Sequence, residues 1–407
     1  MGSLVVNYLT NPPAYDNIPR MQTRQKTTVA YYIAFISLGL VAAALGPTLP
    51  GLAAQTGSQI NQISFLFTAR SLGFLLGAFA VGHLYDRLPG HKLMTAALLL
   101  MGLLLFLTPL MPILAALTAV IFFLGVVESG IDVGANTLIV WLHGRAVGPY
   151  VNGLHFFFGV GALLSPLIIA QAVLRGGGIQ WAYWVLALLM VPAAVYLFRL
   201  PSPQTRPRSE QDSSGQAAWL LVLLIAIFFF LYAGAEISFG GWIFSYAVAM
   251  EVADEVTAAY LTSAFWAAFT VGRLISIPLA ARFRARALMT VDLLGCLTSL
   301  GMMMVWPQSV TAVWLGTMGL GLSFASLFPT TLILAERHLH VQGKTTSYFF
   351  MGASLGAMTI PWFIGQRFEA VGPQATLTII MACLLGATAV FAILMRQITI
   401  RERGNHG

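Results

Sequence analysis

The stretch "FFLGVVESGIDVGANTLIVW", residues 122–141, decides the fold: it is long and apolar enough to cross a bilayer, yet it carries Glu128 and Asp132 near its middle. An ionised acid at the centre of a membrane helix costs roughly 3 kcal/mol on insertion scales. Two in one helix must therefore be offset by specific surroundings. Glu128, Asp132 and Asn136 are spaced i, i+4, i+8 and so share one face of the helix. Such a polar stripe is too costly against lipid. It must face a partner helix or an internal cavity, and an ionisable group in that position is a functional candidate. The competing reading is a structural pair with a buried cation, which Arg70 or Arg273 could supply.

Outward from this stretch the chain repeats the same length scale. Of its 407 residues 58% are hydrophobic and 9% charged, against about 25% charged in a soluble domain. Apolar runs of about 20 residues, the length needed to cross the hydrocarbon core, predict an all-α integral membrane protein. Twelve spans are expected, at 28–49, 62–84, 93–110, 113–141, 151–174, 180–199, 218–249, 256–281, 287–305, 309–334, 345–368 and 374–396. The short alternating segments of a β-barrel are not found. The first 26 residues contain Pro, Asn and charge but no continuous apolar core, so no cleaved signal peptide is expected.

The net charge of +7 follows topology rather than nucleic-acid binding. With a cytoplasmic amino terminus, 17 of the 21 Lys and Arg residues fall on the cytoplasmic side, which places both termini there, in a cell membrane. Cys296 and Cys383 lie within expected spans and form neither a disulfide framework nor a metal site. No His-Glu-x-x-His, phosphate loop or paired cysteines occur, so neither an enzyme nor a cofactor is expected. The expected partners are the bilayer and a small solute, with no nucleic acid and no obligate protein partner.

The segment "LPSPQTRPRSEQDSSGQ", 200–216, is rich in Pro, Ser, Gln and charge and reads as a cytoplasmic linker. It divides the chain into a six-helix bundle at 1–199, a linker at 200–217 and a second six-helix bundle at 218–407. The halves resemble each other. "HFFFGVGALLSPLIIA" from 155 can be laid on "YFFMGASLGAMTIPWFIG" from 348, and the second span, with its basic loop, on the eighth. Matching spans run the same way across the membrane, so this is a parallel repeat, which favours two bundles around one central cavity.

Between spans two and three, "GHLYDRLPGHKLM", 82–94, resembles the signature of the major facilitator superfamily, Gly-x-x-x-Asp-Arg-x-Gly-(Arg/Lys)-(Arg/Lys). Gly82, Asp86, Arg87, Gly90 and Lys92 fit if Leu88 or Pro89 is an insertion. Gly82 would permit close helix approach, and Asp86 would cap a helix or meet Arg87 as the halves close. The five residues are thereby candidates for a conformational gate.

Span seven holds a second constellation, "FLYAGAEISFGGWIFSYA", 230–247, with Glu236 at mid-span, three glycines, and then Trp242 and Tyr246. His155, Trp266, Tyr348 and Asn136 complete the set of candidate solute contacts, the aromatics as faces for sugar rings. Asp292, near the start of span nine, is expected to answer Arg282, Arg284 or Arg286.

"ESGIDVGANTL", "LHFFFGVGALLSP", "YAGAEISFGGWIFSYA" and "SYFFMGASLGAMTIPWFIG" further resemble the fucose:proton symporter family, in particular its sodium-dependent glucose transporter-like subset. That resemblance implies proton-coupled sugar uptake through a span-four acid four positions before an Asn, here Asp132 and Asn136. The family's other key acid, in span one, has no counterpart, which leaves Glu128 and Glu236 as candidates for its part. The resulting expectation is a secondary transporter that moves a small polar solute, most readily a monosaccharide, by alternating access coupled to H⁺ or Na⁺. An efflux antiporter or flippase for amphipathic drugs or lipids is the rival. Its usual span-five motif, Gly-x-x-x-Gly-Pro-x-x-Gly-Gly, is broken here by Ser165 before Pro166 and by the absence of the glycine pair.

Overall fold

The computed structural model describes residues 21–85, 87–203, 219–338 and 343–404, without the side chains of 21, 83, 145, 337–338, 343–346 and 401–404. Among the described residues there are helices and no strand. Eleven helices are long and apolar enough to span a membrane, and a bent pair, Gln22–Ala42 and Leu45–Thr56, makes the twelfth. The bent pair is span one. Spans two to six are Ile60–Gly82, Gly90–Leu110, Leu114–His143, Gly148–Leu174 and Gly178–Phe198. Spans seven to twelve are Trp219–Ala249, Glu255–Arg282, Ala285–Val305, Val310–Glu336, Ser347–Val371 and Ala375–Ile400. Large apolar side chains such as Leu188, Phe198 and Val291 point outward, as expected of surfaces that meet lipid rather than water.

Three spans are interrupted: span two briefly at Ser64, with no proline nearby, and spans one and ten at breaks that proline accounts for. Span one bends by 46° between Ala42 and Leu45, around Ala43, four residues before Pro47. Span ten breaks between Phe324 and Leu327, around Ala325, four residues before Pro329. A proline has no N–H to offer the carbonyl four residues upstream, and its ring crowds that carbonyl. Pro166, Pro192, Pro278 and Pro361 lie inside helices that continue through them, which membrane helices tolerate.

The helices pair twice over in the same way. Span one packs on five, two on four and three on six; in the second half, seven packs on eleven, eight on ten and nine on twelve. Across the halves, five packs on eight and two on eleven. Each pairing maps onto its counterpart by adding six, as a parallel repeat about an axis along the membrane normal requires. Small residues set the closest approaches. A Cβ on Gly125 of span four would run into the backbone of Arg70 in span two, and one on Gly356 of span eleven into the backbone of Phe230 in span seven.

The hydrogen bonds that cross between the halves, among the described residues, all lie in the part of the molecule away from the chain termini. Glu369 Oε1 accepts the Ile60 N–H at 2.7 Å, and Gln366 Nε2 donates to the Asn61 carbonyl at 2.7 Å. Deeper in, Thr68 and Ser71 donate to the carbonyls of Met358 and Ala357, at 2.9 and 3.3 Å. On the other seam Gln171 donates to the Tyr260 hydroxyl at 3.0 Å. The two halves are thus bonded together at the end opposite the termini.

Candidate functional site

The carboxylates of span four have different surroundings. Glu128 is buried and takes a forked contact from Arg70 of span two: Nε lies 3.0 and 3.1 Å from its two oxygens and Nη2 lies 2.8 Å from Oε2. The remaining terminal nitrogen, Nη1, donates at 3.1 Å to the carbonyl of Ala42, at the break in span one. A guanidinium fork matches a carboxylate in charge and in shape, and here all three of its nitrogens are bonded. This is the sole ion pair among the described residues.

One turn further along, Asp132 has no cation. Its partner is Asn136, whose Nδ2 donates to Asp132 Oδ1 at 3.2 Å and to the Asp132 carbonyl at 3.0 Å. Both residues are half-buried. Asp132 Oδ2 and Asn136 Oδ1 have no bond to any described residue and are not sealed from the surroundings.

The second half contributes Glu236 of span seven. Tyr232, one turn before it, donates its hydroxyl to Oε2. Arg273 of span eight lies in electrostatic range of Glu236, Tyr232 and His155, but it makes no ion pair. Its guanidinium rests over the Phe269 ring, 4.7 Å from the centroid. His155 comes from span five of the first half, with its ring edge-on to Phe35 at 5.9 Å. Gly159, one turn after His155, packs on Thr270, and Gly240, one turn after Glu236, packs on Trp266, so Glu236, Arg273 and His155 lie on facing stretches of spans seven, eight and five, where the halves adjoin.

The aromatic candidates divide by position. Trp242 is fully buried; its indole N–H donates to the Pro361 carbonyl at 3.0 Å, and its ring lies against Phe67 and Phe368 at 6.0 and 5.1 Å. It packs in the bonded end of the molecule, as does Tyr246 one turn later, whose hydroxyl has no partner. Trp266 is buried beside Phe158 across the seam of spans five and eight, centroids 6.3 Å apart, and Tyr348 stacks edge-on to Trp219 at 5.6 Å. Asp292 takes the Ser326 hydroxyl at the break of span ten rather than one of the arginines expected for it.

In the loop between spans two and three, Asp86 lies outside the described residues, and Arg87 and Lys92 are exposed. A Cβ on Gly82 would meet nothing within 4 Å, so the close approach expected there is absent; it occurs instead at Gly90, where a Cβ would meet Leu138 at 2.6 Å. The neighbouring His91 ties the loop to the start of the linker, with Nδ1 2.9 Å from the Leu200 carbonyl and Nε2 2.8 Å from the Tyr31 hydroxyl. Neither that tie nor Tyr232 was foreseen from the sequence, although Tyr232 and Glu236 share the i, i+4 spacing that drew attention to span four. No group of three or more His, Cys, Asp or Glu among the described residues could hold a metal ion.

Comparison with known proteins agrees with this architecture. The sequence profile of the Major Facilitator Superfamily matches residues 31–361. "Sodium-dependent glucose transporter 1A" of Mus musculus is 30% identical over 401 residues, which cover 89% of this chain and 94% of that protein. "Sodium-dependent glucose transporter 1" of Homo sapiens is 29% identical, with 88% and 76% covered, and "Major facilitator superfamily domain-containing protein 4A" of Mus musculus is 26% identical, with 88% and 89% covered. Among solved structures, the nucleoside transporter NupG superposes with a TM-score of 0.71 at 13% identity, over 92% of this chain and 99% of that one. A bacterial homologue of the human lysosomal transporter Spinster, in an inward-facing and unoccupied conformation, gives a TM-score of 0.70 at 13% identity, over 95% of this chain and 98% of that one. These likenesses of structure concern the fold alone. With twelve spans in two repeated halves, and a profile match over most of its length, the chain belongs to the major facilitator superfamily of transporters.

Proposed function

We propose that the chain is a secondary active transporter that moves a monosaccharide across the membrane by alternating access, coupled to H⁺ or Na⁺. The substrate class is supported by relatives named as glucose transporters, about 30% identical over nearly nine-tenths of the chain. The observation that carries the coupling is the charge balance inside the membrane. Glu128 is neutralised by Arg70 and Glu236 has Arg273 in range, while Asp132, half-buried, has only a neutral amide.

An acid without a counter-ion obstructs closure of the cavity, because excluding water from it removes its solvation. A cation bound at Asp132 lifts that penalty. A proton would neutralise the carboxyl; Na⁺ would be held by Asp132 Oδ2 and Asn136 Oδ1, hard oxygen donors left open by the Asn136 amide hydrogen bond. Either way the loaded state closes more readily than the empty one, which is the condition for coupling. Two bodies, spans one to six and spans seven to twelve, rock about this site. Both termini face the cytoplasm, on the positive-inside argument.

The test is reconstitution in liposomes with solid-supported-membrane currents evoked by hexoses, pentoses and deoxy sugars, proton and sodium gradients being varied separately. Wild-type protein should give a sugar-evoked current that requires one of the two gradients, and Asp132→Asn should lose it while still exchanging labelled for unlabelled sugar. Silence toward every sugar under both gradients would overturn the substrate class and turn attention to amphipathic compounds.

A further inference from the structure

The membrane interior holds two arginine and glutamate sets, and they are built differently. In Arg70–Glu128 every guanidinium nitrogen has a partner and the acid is buried against it. Such a set has nothing left to offer a ligand. In Arg273–Glu236 no nitrogen comes within 4.0 Å of a carboxylate oxygen. The Nη1 and Nη2 atoms of Arg273, Oε1 of Glu236 and both ring nitrogens of His155 bond to no described residue and are not closed off, so all five reach open space. Arg273 Nε, by contrast, is buried without a partner.

Both members of the open set are nevertheless held in place. Phe269 supports the plane of the guanidinium from one face, and Tyr232 fixes one carboxylate oxygen of Glu236 and leaves the other free. Positioned but unsatisfied donors and acceptors are what a binding site presents before its ligand arrives. Their charges cancel in sum, so the ligand they suit is neutral. A hydroxyl both donates and accepts; a pair of adjacent hydroxyls can donate to Glu236 Oε1 and accept from the Arg273 fork, bridging a gap the protein leaves unbridged. His155 approaches from the other half of the molecule, one turn before Gly159, which packs on Thr270, three residues before Arg273.

We infer that Arg273, Glu236 and His155 form a subsite that grips adjacent hydroxyls of the solute, with Arg273 as a substrate-binding residue. This rests on the reading of the solute as a monosaccharide. It gives Glu236 the work of hydroxyl recognition rather than ion coupling. It also makes the solute itself a link between spans seven and eight of one half and span five of the other, so that binding favours approach of the halves.

The experiment measures sugar KM and ion half-saturation in liposomes for wild type, Arg273→Lys, Arg273→Gln, Glu236→Gln and the Arg273→Gln/Glu236→Gln double variant, each confirmed monodisperse in detergent. The probes are glucose, galactose, mannose and fucose, with the monodeoxy analogues of whichever gives the largest wild-type current. The single Gln variants should raise KM at least tenfold with ion half-saturation unchanged, and the double variant should be no better than either. Wild type should discriminate against two deoxy analogues at adjacent positions, and Arg273→Gln should lose that discrimination. Arg273→Lys, which keeps the charge but not the fork, should fall between. Recovery of wild-type KM in the double variant would show a structural charge pair and overturn the subsite; so would full KM in Arg273→Lys, or an altered ion half-saturation with unaltered sugar KM. A wild type with sugar currents and an Arg273→Gln variant with the same KM would remove this inference alone. A wild type without sugar currents would remove the monosaccharide reading and this inference with it.

Discussion

Glu128 and Asp132 sit one turn apart on the same helix face and are chemically near-identical, yet Arg70 meets one and not the other. The consequence is a division between an acid that holds the fold and an acid free to change its state. Glu128→Gln or Arg70→Gln would each leave an uncompensated buried charge or unbonded donors, a loss of about 3–5 kcal/mol. Detergent-solubilised protein should show a lowered thermal midpoint for either variant, and Arg70→Met/Glu128→Leu should regain much of it. Asp132→Asn removes no ion pair, so its thermal midpoint should stay near that of wild type while gradient-driven uptake disappears. At this scale the stripe of Glu128, Asp132 and Asn136 was legible from spacing alone. The choice of partner was not, because Arg70 is 58 positions away and the sequence offers Arg273 on equal terms. Only the packing of span two on span four separates them.

Helix ends and breaks carry the next level of behaviour. Span two begins at Ile60, whose N–H is bonded to Glu369 of the opposite half, while the preceding Gln59 N–H is bonded locally to the Gln62 side chain; of these two terminal bonds only the one to Glu369 is lost when the halves part at that end. A helix cap is worth about 1 kcal/mol, and Glu369→Ala should accordingly shift the balance toward the parted state by roughly fivefold. Spin labels at the ends of spans two and eleven, read as a distance distribution, would register that shift as a larger population at long distance. Gly125→Ala introduces a Cβ into the backbone of Arg70, and the pairing of spans two and four should fail, with aggregation on size-exclusion chromatography. Span positions were legible to within several residues because hydrophobic length is a strong constraint. Span one was expected at 28–49, whereas the helical path runs on to Thr56 through Pro47 and Pro50. Those prolines redirect the helix without stopping it.

For the molecule as a whole, the parallel repeat visible in "HFFFGVGALLSPLIIA" and "YFFMGASLGAMTIPWFIG" foretold the six-plus-six pairing of spans. It could not foretell which helices seal the two halves together, since the pairs five with eight and two with eleven join segments from different repeats. Because the bonded end lies opposite the termini, the central polar residues should be reached from the side that bears the termini. In a Cys296→Ala/Cys383→Ala background, Asn136→Cys should react with a membrane-impermeant thiol reagent applied from that side and remain unmodified from the other. Arg70 adds a mechanical corollary. One guanidinium fastens the elbow of span one, through the Ala42 carbonyl, to the acid of span four and to its own span two. It acts as a rivet through three helices: while it holds, the elbow is braced rather than flexed, and spans one, two and four swing as a single plate.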